Sequence, residues 1–188
     1  MILPTLLLGF ALGSIPFGLL LTRAAGLGDI RSVGSGNIGA TNVLRTGRRD
    51  LAAATLLLDG AKGVAAVMLA RHWGGPAAAA GLAAVLGHTL TPWLRFRGGK
   101  GVATGLGALL GIAWPLGVAA CAAWLLAAAA WRISSVSALV AFAVACLLAL
   151  PLEPYPWPVL AIAAWVAWRH RANIARLRAG TEPRIGAK

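Results

Sequence analysis

Long stretches of this chain contain no Asp, Glu, Lys or Arg, among them Met1–Thr22, Val102–Trp131 and Ile133–Leu152. Each reaches the ~20 residues that a helix needs to cross a bilayer. Lipid offers no partner for backbone N–H and C=O groups, so spanning segments must satisfy them internally. Continuous apolar runs of this length therefore specify membrane helices. Charged residues make up 12% of the chain and hydrophobic ones 59%, where a soluble domain carries about twice that charge fraction. A soluble chain of 188 residues would leave much of this surface exposed and prone to aggregation. No basic segment precedes Ile2–Leu21 and no small-residue cleavage signal follows it, so the N-terminus is expected to stay in place as the first span.

Lys and Arg outnumber Asp and Glu 17 to 5, a net charge of +12. Such a balance suits nucleic-acid binding when it lies on a soluble face. Here the basic residues cluster between apolar segments, which is the topological signature of a membrane protein. No nucleic-acid partner is expected; the excess charge suits anionic lipid or anionic substrates. Spans are expected near Leu3–Thr22, Leu51–Ala70, Ala77–Leu94, Val136–Leu150 and Trp157–Trp168, the last two joined by Pro151, Pro154, Pro156 and Pro158.

The run from Val102 to Trp131 is either one span or a hairpin, and parity decides. As one span it would put the basic tail from Arg169 to Lys188 on the opposite side from Arg95, Arg97 and Lys100, against the positive-inside rule. A turn near Trp114-Pro115-Leu116-Gly117, in two helices of about 14 residues, restores it. The expected fold is all-α: a single membrane-embedded domain over residues 1–188 with seven transmembrane helices, N-terminus outside, C-terminus cytoplasmic. Every basic residue except Lys62 and Arg71 then faces the cytoplasm.

Cys121 and Cys146 lie in apolar stretches, and His72, His88 and His170 are far apart. The cysteines read as inert thiols without metal-site spacing. No metal, cofactor or obligate protein partner is called for.

Four segments are too polar or glycine-rich to be simple connectors. The first, Asp29 to Arg45, contains G-x-G-x-x-G at Gly34, Gly36 and Gly39. A dinucleotide fingerprint needs a strand before it, and membrane spans flank this one. What remains is a backbone free to aim N–H groups at an anion. If the chain coils after Gly36, then Asn37, Thr41 and Arg45 share one face, and together with Ser35 they suit a phosphate. The second, Asp59-Gly60-Ala61-Lys62-Gly63, places opposite charges at i, i+3 inside a span; charges there are paired or functional, and a structural ion pair is favoured. The third joins Leu86-Gly87-His88 to Phe96-Arg97-Gly98-Gly99-Lys100-Gly101-Val102-Ala103-Thr104. It lacks the leading Gly of a P-loop, since Leu94 stands there, yet offers backbone donors, a Lys and a helix start. The fourth runs from Arg169 to Glu182, with His170 and Asn173 at i, i+3 and Glu182 as a structural partner for a nearby Arg. Ser134-Ser135, after Arg132, is a smaller polar spot suited to helix capping.

Several glycine-plus-cation sites on one face imply more than one phosphate, and a pocket between headgroup zone and membrane suits an amphiphile. A transporter of phosphorylated anions would use the same cations but calls for repeat symmetry, which the sequence lacks. A lipid-binding scaffold would tolerate Ser35→Ala and Asn173→Ala.

Gly13-Ser14-Ile15-Pro16-Phe17-Gly18, Gly34–Arg45, Asp59–Gly63, Leu86-Gly87-His88, Gly98–Thr104 and His170–Glu182 together resemble the bacterial acyl-phosphate:glycerol-3-phosphate acyltransferases, in order and over nearly the whole chain. The resemblance implies a cytoplasmic-side active site in the inner membrane. There a fatty acyl group would pass from acyl phosphate to the first hydroxyl of glycerol 3-phosphate, giving lysophosphatidic acid and phosphate. It implies catalytic roles for Ser35, Arg45, Lys100 and His170. Substrate contacts are implied for Gly36, Asn37, Thr41, His88, Gly98, Gly99, Ser135 and Asn173, and structural roles for Asp59, Lys62 and Glu182. No His is followed five positions later by Asp, the pair common in acyl-CoA-dependent glycerolipid acyltransferases.

Overall fold

The computed structural model describes residues 1–152 and 156–186; Pro154 of the expected proline connection and Lys188 of the basic tail lie outside them. Among the described residues there is no strand. The helices are α1 (Ile2–Ser14), α2 (Phe17–Ala24), α3 (Ala40–Val43), α4 (Arg49–His72), α5 (Ala77–Thr89), α6 (Val102–Ile112), α7 (Trp114–Trp131), α8 (Ser134–Leu152), α9 (Trp157–Arg169) and α10 (Arg171–Arg178).

Five helical bodies are long and apolar enough to cross a membrane by themselves: Ile2–Ala24, Arg49–His72, Ala77–Leu94, Trp114–Trp131 and Ser134–Pro151. The first is broken at Ile15-Pro16, where Ile15 is extended and Pro16 supplies no N–H to continue the ladder. The run expected as two helices of similar length divides unequally, into 11 and 18 residues. The break falls at Ala113 (φ −146°, ψ 111°), one residue ahead of the expected turn. Pro115 lies in the first turn of α7, where its missing N–H costs nothing. Gly117 is helical and lets α7 close onto the backbone of Leu110.

Small residues set the packing, as in membrane bundles generally. A Cβ on Gly9, Gly13 or Gly87 would collide with backbone across the α1–α5 contact, and one on Gly63 or Gly107 with backbone across α4–α6. Val67, Val85, Leu109, Leu116, Phe142, Ile162 and Val166 form the core between α4, α5, α6, α7, α8 and α9.

The polar segments gather at one end. Thr41 Oγ1 meets Ser134 Oγ at 3.1 Å, Ser135 Oγ donates to Glu182 Oε1 at 2.7 Å, and Arg169 Nη2 donates to Gly98 O and Gly99 O at 3.2 and 3.0 Å. At the other end Arg71 Nη2 donates to Ile112 O at 3.0 Å, and Gly75 abuts the side chain of Thr5. The N-terminal turn thus lies at the end of the bundle away from the polar segments.

Candidate active site

A cavity of about 870 Å³ opens at the polar end and runs down between α4, α6 and α7. Its upper part is lined by Ser35, Asn37, Thr41, Arg45, Lys100, Ser135, His170, Asn173 and Glu182; its lower part by Leu57, Val64, Leu106, Leu110, Cys121 and Leu125. One end is cationic and polar and the other apolar, the shape of an amphiphile with an anionic head.

The loop from Asp29 to Thr46 is organised by one buried amide. Asn42, 2% exposed, donates from Nδ2 to Ile30 O, Val33 O and Asn37 O at 3.0, 2.9 and 2.8 Å. Its Oδ1 accepts from Ser35 N at 3.0 Å and Ser35 Oγ at 3.3 Å. Gly34, at φ +52°, has no room for a Cβ because Arg45 and the Asn42 amide lie against it. Asn37, Thr41 and Arg45 all line the cavity, but not as one helical face. Helix occupies only Ala40–Val43, and a single 3-10 turn follows over Leu44–Thr46. The loop's hydrogen bonds, rather than helical periodicity, bring them together.

Arg45 and Lys100 form no hydrogen bond or ion pair among the described residues. Burial pushes the Lys100 amine down to about 8; Glu182 pulls it up, while Arg176, Arg169 and Arg45 push it further down. His170, 2% exposed, is pushed down to about 4 by burial, with Lys100 and Arg169 adding to the effect and its contact with Val166 O opposing it. At neutral pH the imidazole is therefore uncharged, and Nδ1, 2.7 Å from Val166 O, is the protonated nitrogen. Nε2 is left as an acceptor.

Glu182 knits the tail to the core: its carboxylate accepts from Ser135 Oγ (2.7 Å), Asn173 Nδ2 (2.5 Å) and Arg176 Nε (2.7 Å). Burial alone would raise this carboxyl, but the three donors outweigh it and hold it below the usual range. Ser135 serves this carboxylate rather than a helix cap. Asp59 and Lys62 pair at 2.7 Å and both are buried. Lys62 Nζ also donates to Ile15 O at 2.8 Å and lies 2.9 Å from His88 Nδ1. His88 reaches the cavity wall, with its Nδ1 committed to this cluster.

Three glycines expected to offer N–H groups to a phosphate are placed otherwise. Gly98 N donates to Thr89 O at 3.0 Å, Gly99 N to His88 O at 3.1 Å and Gly36 N to Val33 O at 3.0 Å. Gly98 lets its turn close on the His88 carbonyl, and Gly99 lets it close on the His88 ring. Gly36 is exposed and holds φ +69°. These glycines shape loops whose amides are already spent. Cys121, expected to be buried and inert, instead forms part of the apolar wall.

Sequence reasoning passed over Asn42 and Arg169. An Asn three residues beyond a G-x-G-x-x-G run is a signal in principle, since its amide can bind several loop carbonyls at once. Arg169 carried no such signal among its neighbouring arginines. Among the described residues, no group of three His, Cys, Asp or Glu side chains could hold a metal ion.

The sequence profile of the family described as glycerol-3-phosphate acyltransferase matches residues 3–180. A protein of Rhodospirillum rubrum with that name is 55% identical over 97% of this chain and 90% of its own length. One from Caulobacter vibrioides is 58% identical over 96% of this chain and 86% of its own. The crystal structure of PlsY, an integral membrane glycerol 3-phosphate acyltransferase, in its glycerol 3-phosphate form superposes with a TM-score of 0.92 at 34% identity, covering 98% of this chain and 95% of that one. Its lysophosphatidic acid form gives 0.90 at 32% identity. The present chain is accordingly a multi-pass helical membrane protein.

Proposed function

Because the chain belongs to the glycerol-3-phosphate acyltransferase family, we propose that it moves a fatty acyl group from acyl phosphate to the sn-1 hydroxyl of glycerol 3-phosphate, giving lysophosphatidic acid and inorganic phosphate, the first acylation of phospholipid synthesis. The observation that carries this reading is the presence, in one cavity, of cations without acidic partners among the described residues, Arg45 and Lys100 with Arg49 and Arg184 nearby, beside an apolar groove between α4, α6 and α7. Both substrates are phosphate monoanions or dianions at their heads, and only the donor brings a hydrocarbon chain. A site with several free cations and one greasy channel matches that pair.

Acyl phosphate is a mixed anhydride with phosphate as its leaving group, so the protein has no need of a covalent nucleophile. Its tasks are to hold two anions together and to stabilise charge as it develops on the departing phosphate, and positioning and electrostatics supply most of such a barrier reduction. Arg45 and Lys100 neutralise phosphate, and Ser35 Oγ, on giving up its long 3.3 Å bond to Asn42 Oδ1, turns its single O–H toward the same group. Thr41 and Asn37 complete the polar wall. His170 presents an acceptor nitrogen, as general bases do. It and the leaving phosphate are the two groups able to take the glycerol hydroxyl's proton.

We further propose seven spans, with α6 and α9, of 11 and 13 residues, crossing in the company of longer neighbours and of local bilayer thinning. The polar end would face the cytoplasm of the inner membrane, since the loops gathered there carry most of the Arg and Lys.

The test is phosphate release by the purified protein in lipidic mesophase, given acyl phosphate with and without glycerol 3-phosphate. Release that requires glycerol 3-phosphate and disappears in Arg45→Ala and Lys100→Ala is the expected result. An acylated Ser35 trapped during turnover would sink direct transfer. Binding of glycerol 3-phosphate without any release would sink the enzyme reading.

A further inference from the structure

Lys100 is presented by a turn whose polar backbone is held on both sides. The N–H groups of Gly98 and Gly99 go to Thr89 O and His88 O. Their C=O groups go to a single donor, Nη2 of Arg169, at 3.2 and 3.0 Å. Arg169 ends α9, immediately before His170. Four residues earlier on the same helical face, Trp165 Nε1 donates to Thr89 Oγ1 at 2.9 Å. Thus α9 grips the segment from Thr89 to Gly99 at two points one turn apart. The half-buried guanidinium has no carboxylate partner among the described residues, and its Nε is buried without a hydrogen bond. A costly cation has been placed here to bind two carbonyls.

We infer that Arg169 is a positioning residue for the acyl-transfer site: by holding the Gly98 and Gly99 carbonyls to the end of α9, it fixes Lys100 relative to His170 and Asn173. The inference rests on the acyltransferase reading of this cavity. The two walls that must close on a phosphate come from different elements, the turn before α6 and the junction of α9 with α10. Arg169 Nη2 ties them directly through the two carbonyls. Shape matters as well as charge: the rigid, planar guanidinium holds one Nη2 against two adjacent carbonyls, whereas a Lys ammonium is a compact point charge on a more flexible stem.

The experiment compares Arg169→Ala, Arg169→Lys and Arg171→Ala in the phosphate-release assay, with melting temperature measured in parallel. Arg171 is the exposed neighbour stacked 4.4 Å over the Trp168 ring, and its loss controls for net charge. Arg169→Ala and Arg169→Lys should each lose about 10²-fold in turnover, the cost of a ~1 Å misplacement, with Michaelis constants less affected. Arg171→Ala should stay near wild type. Millimolar guanidinium chloride should restore part of the activity of Arg169→Ala and none of that of Lys100→Ala. Wild-type turnover in Arg169→Ala overturns the inference, and so does full activity in Arg169→Lys, which would mean that charge alone suffices. A loss that follows unfolding and does not answer to guanidinium overturns it too, since the residue is then merely structural. An inactive wild type overturns the acyltransferase reading itself, and this inference falls with it.

Discussion

Replacing Asn42 by Ala removes the hub of the loop that carries Ser35 and Arg45. The amide has two N–H groups, which serve the carbonyls of Ile30, Val33 and Asn37, so one of them is shared; Oδ1 takes the Ser35 N–H and Oγ. Counting two donated bonds and one accepted from backbone, at about 1 kcal/mol net each, the loss is roughly 3 kcal/mol. The weak 3.3 Å contact with Ser35 Oγ adds little. Ile30 O and Val33 O each keep a second donor, the N–H groups of Val33 and Gly36, and Ser35 is exposed, so the freed groups are not orphaned and the estimate does not grow by a full desolvation penalty. A loss of that size lowers the ratio of ordered to disordered loop by about 10²-fold, since 1.4 kcal/mol is a factor of ten. Turnover should therefore fall by about 10- to 100-fold, while the melting temperature, set by the α4–α9 core, moves only a few degrees. Asn42→Asp keeps an acceptor for Ser35 but turns a carboxylate toward three carbonyls and toward Arg45, and should be at least as damaging. Phosphate release and thermal unfolding on the same preparations check both variants. More than half of wild-type turnover in Asn42→Ala would refute the argument, as would a collapse in melting temperature matching the loss of activity.

Three other outcomes follow from the same geometry. Lys100, pushed down to about 8 in the free protein, is a cation below that pH and loses its charge above it. kcat/KM should thus fall above about pH 8, with the limb displaced upward in Lys100→Arg; a profile flat to about pH 10 would exclude Lys100 as the titrating cation. Glu182→Ala releases Ser135, Asn173 and Arg176 together and should expose the tail to trypsin at Arg176, Arg178 and Arg184, with activity lost in step. Protection equal to wild type would count against the tether. Lys62→Met leaves Asp59 buried without its partner and should cost about 3–5 kcal/mol, whereas Asp59→Asn with Lys62→Met should recover much of that in thermal unfolding; equal loss in both would contradict the pairing.

The membrane helices were legible because each depends on a local property, a run of apolar residues ended by charge. The α6–α7 break was legible as a necessity, from the side on which basic residues must lie, but not in its position. Pro115 marks a boundary from just inside the following helix, and Gly117 is a packing residue, so neither marks the turn. The lining of the candidate site was legible where a side chain reaches the cavity by itself, as for Arg45, Lys100 and His170. It was obscured where backbone amides decide. A glycine-rich segment has the same appearance whether its N–H groups point at an anion or, as at Gly98 and Gly99, at carbonyls of a preceding helix. That distinction depends on which strand of chain lies behind the turn, and here the chain behind it is Leu86-Gly87-His88-Thr89, brought there by the packing of α5.

The shortage of carboxylates then takes on a functional meaning. Each described acid is already engaged: Asp29 with Arg23 and Arg31, Asp50 with Arg48, Asp59 with Lys62, and Glu182 with Arg176. None neutralises Arg45 or Lys100. The one carboxylate at the mouth of the cavity, Glu182, has its two oxygens spent on three donors from α8 and α10. An anion site must keep its cations unpaired yet close together; burial first, and then repulsion from Arg176, Arg169 and Arg45, lower the Lys100 amine, a cost that, under the proposed function, the fold carries until a phosphate arrives. A substrate with a doubly charged head relieves that repulsion, so binding of the head and completion of the site are one event. Adding a carboxylate near Lys100 would stabilise the empty protein and oppose the bound one. The composition that first indicated topology, 17 basic residues against 5 acidic, is therefore also what leaves cations such as Arg45 and Lys100 free for the phosphate that the proposed function requires.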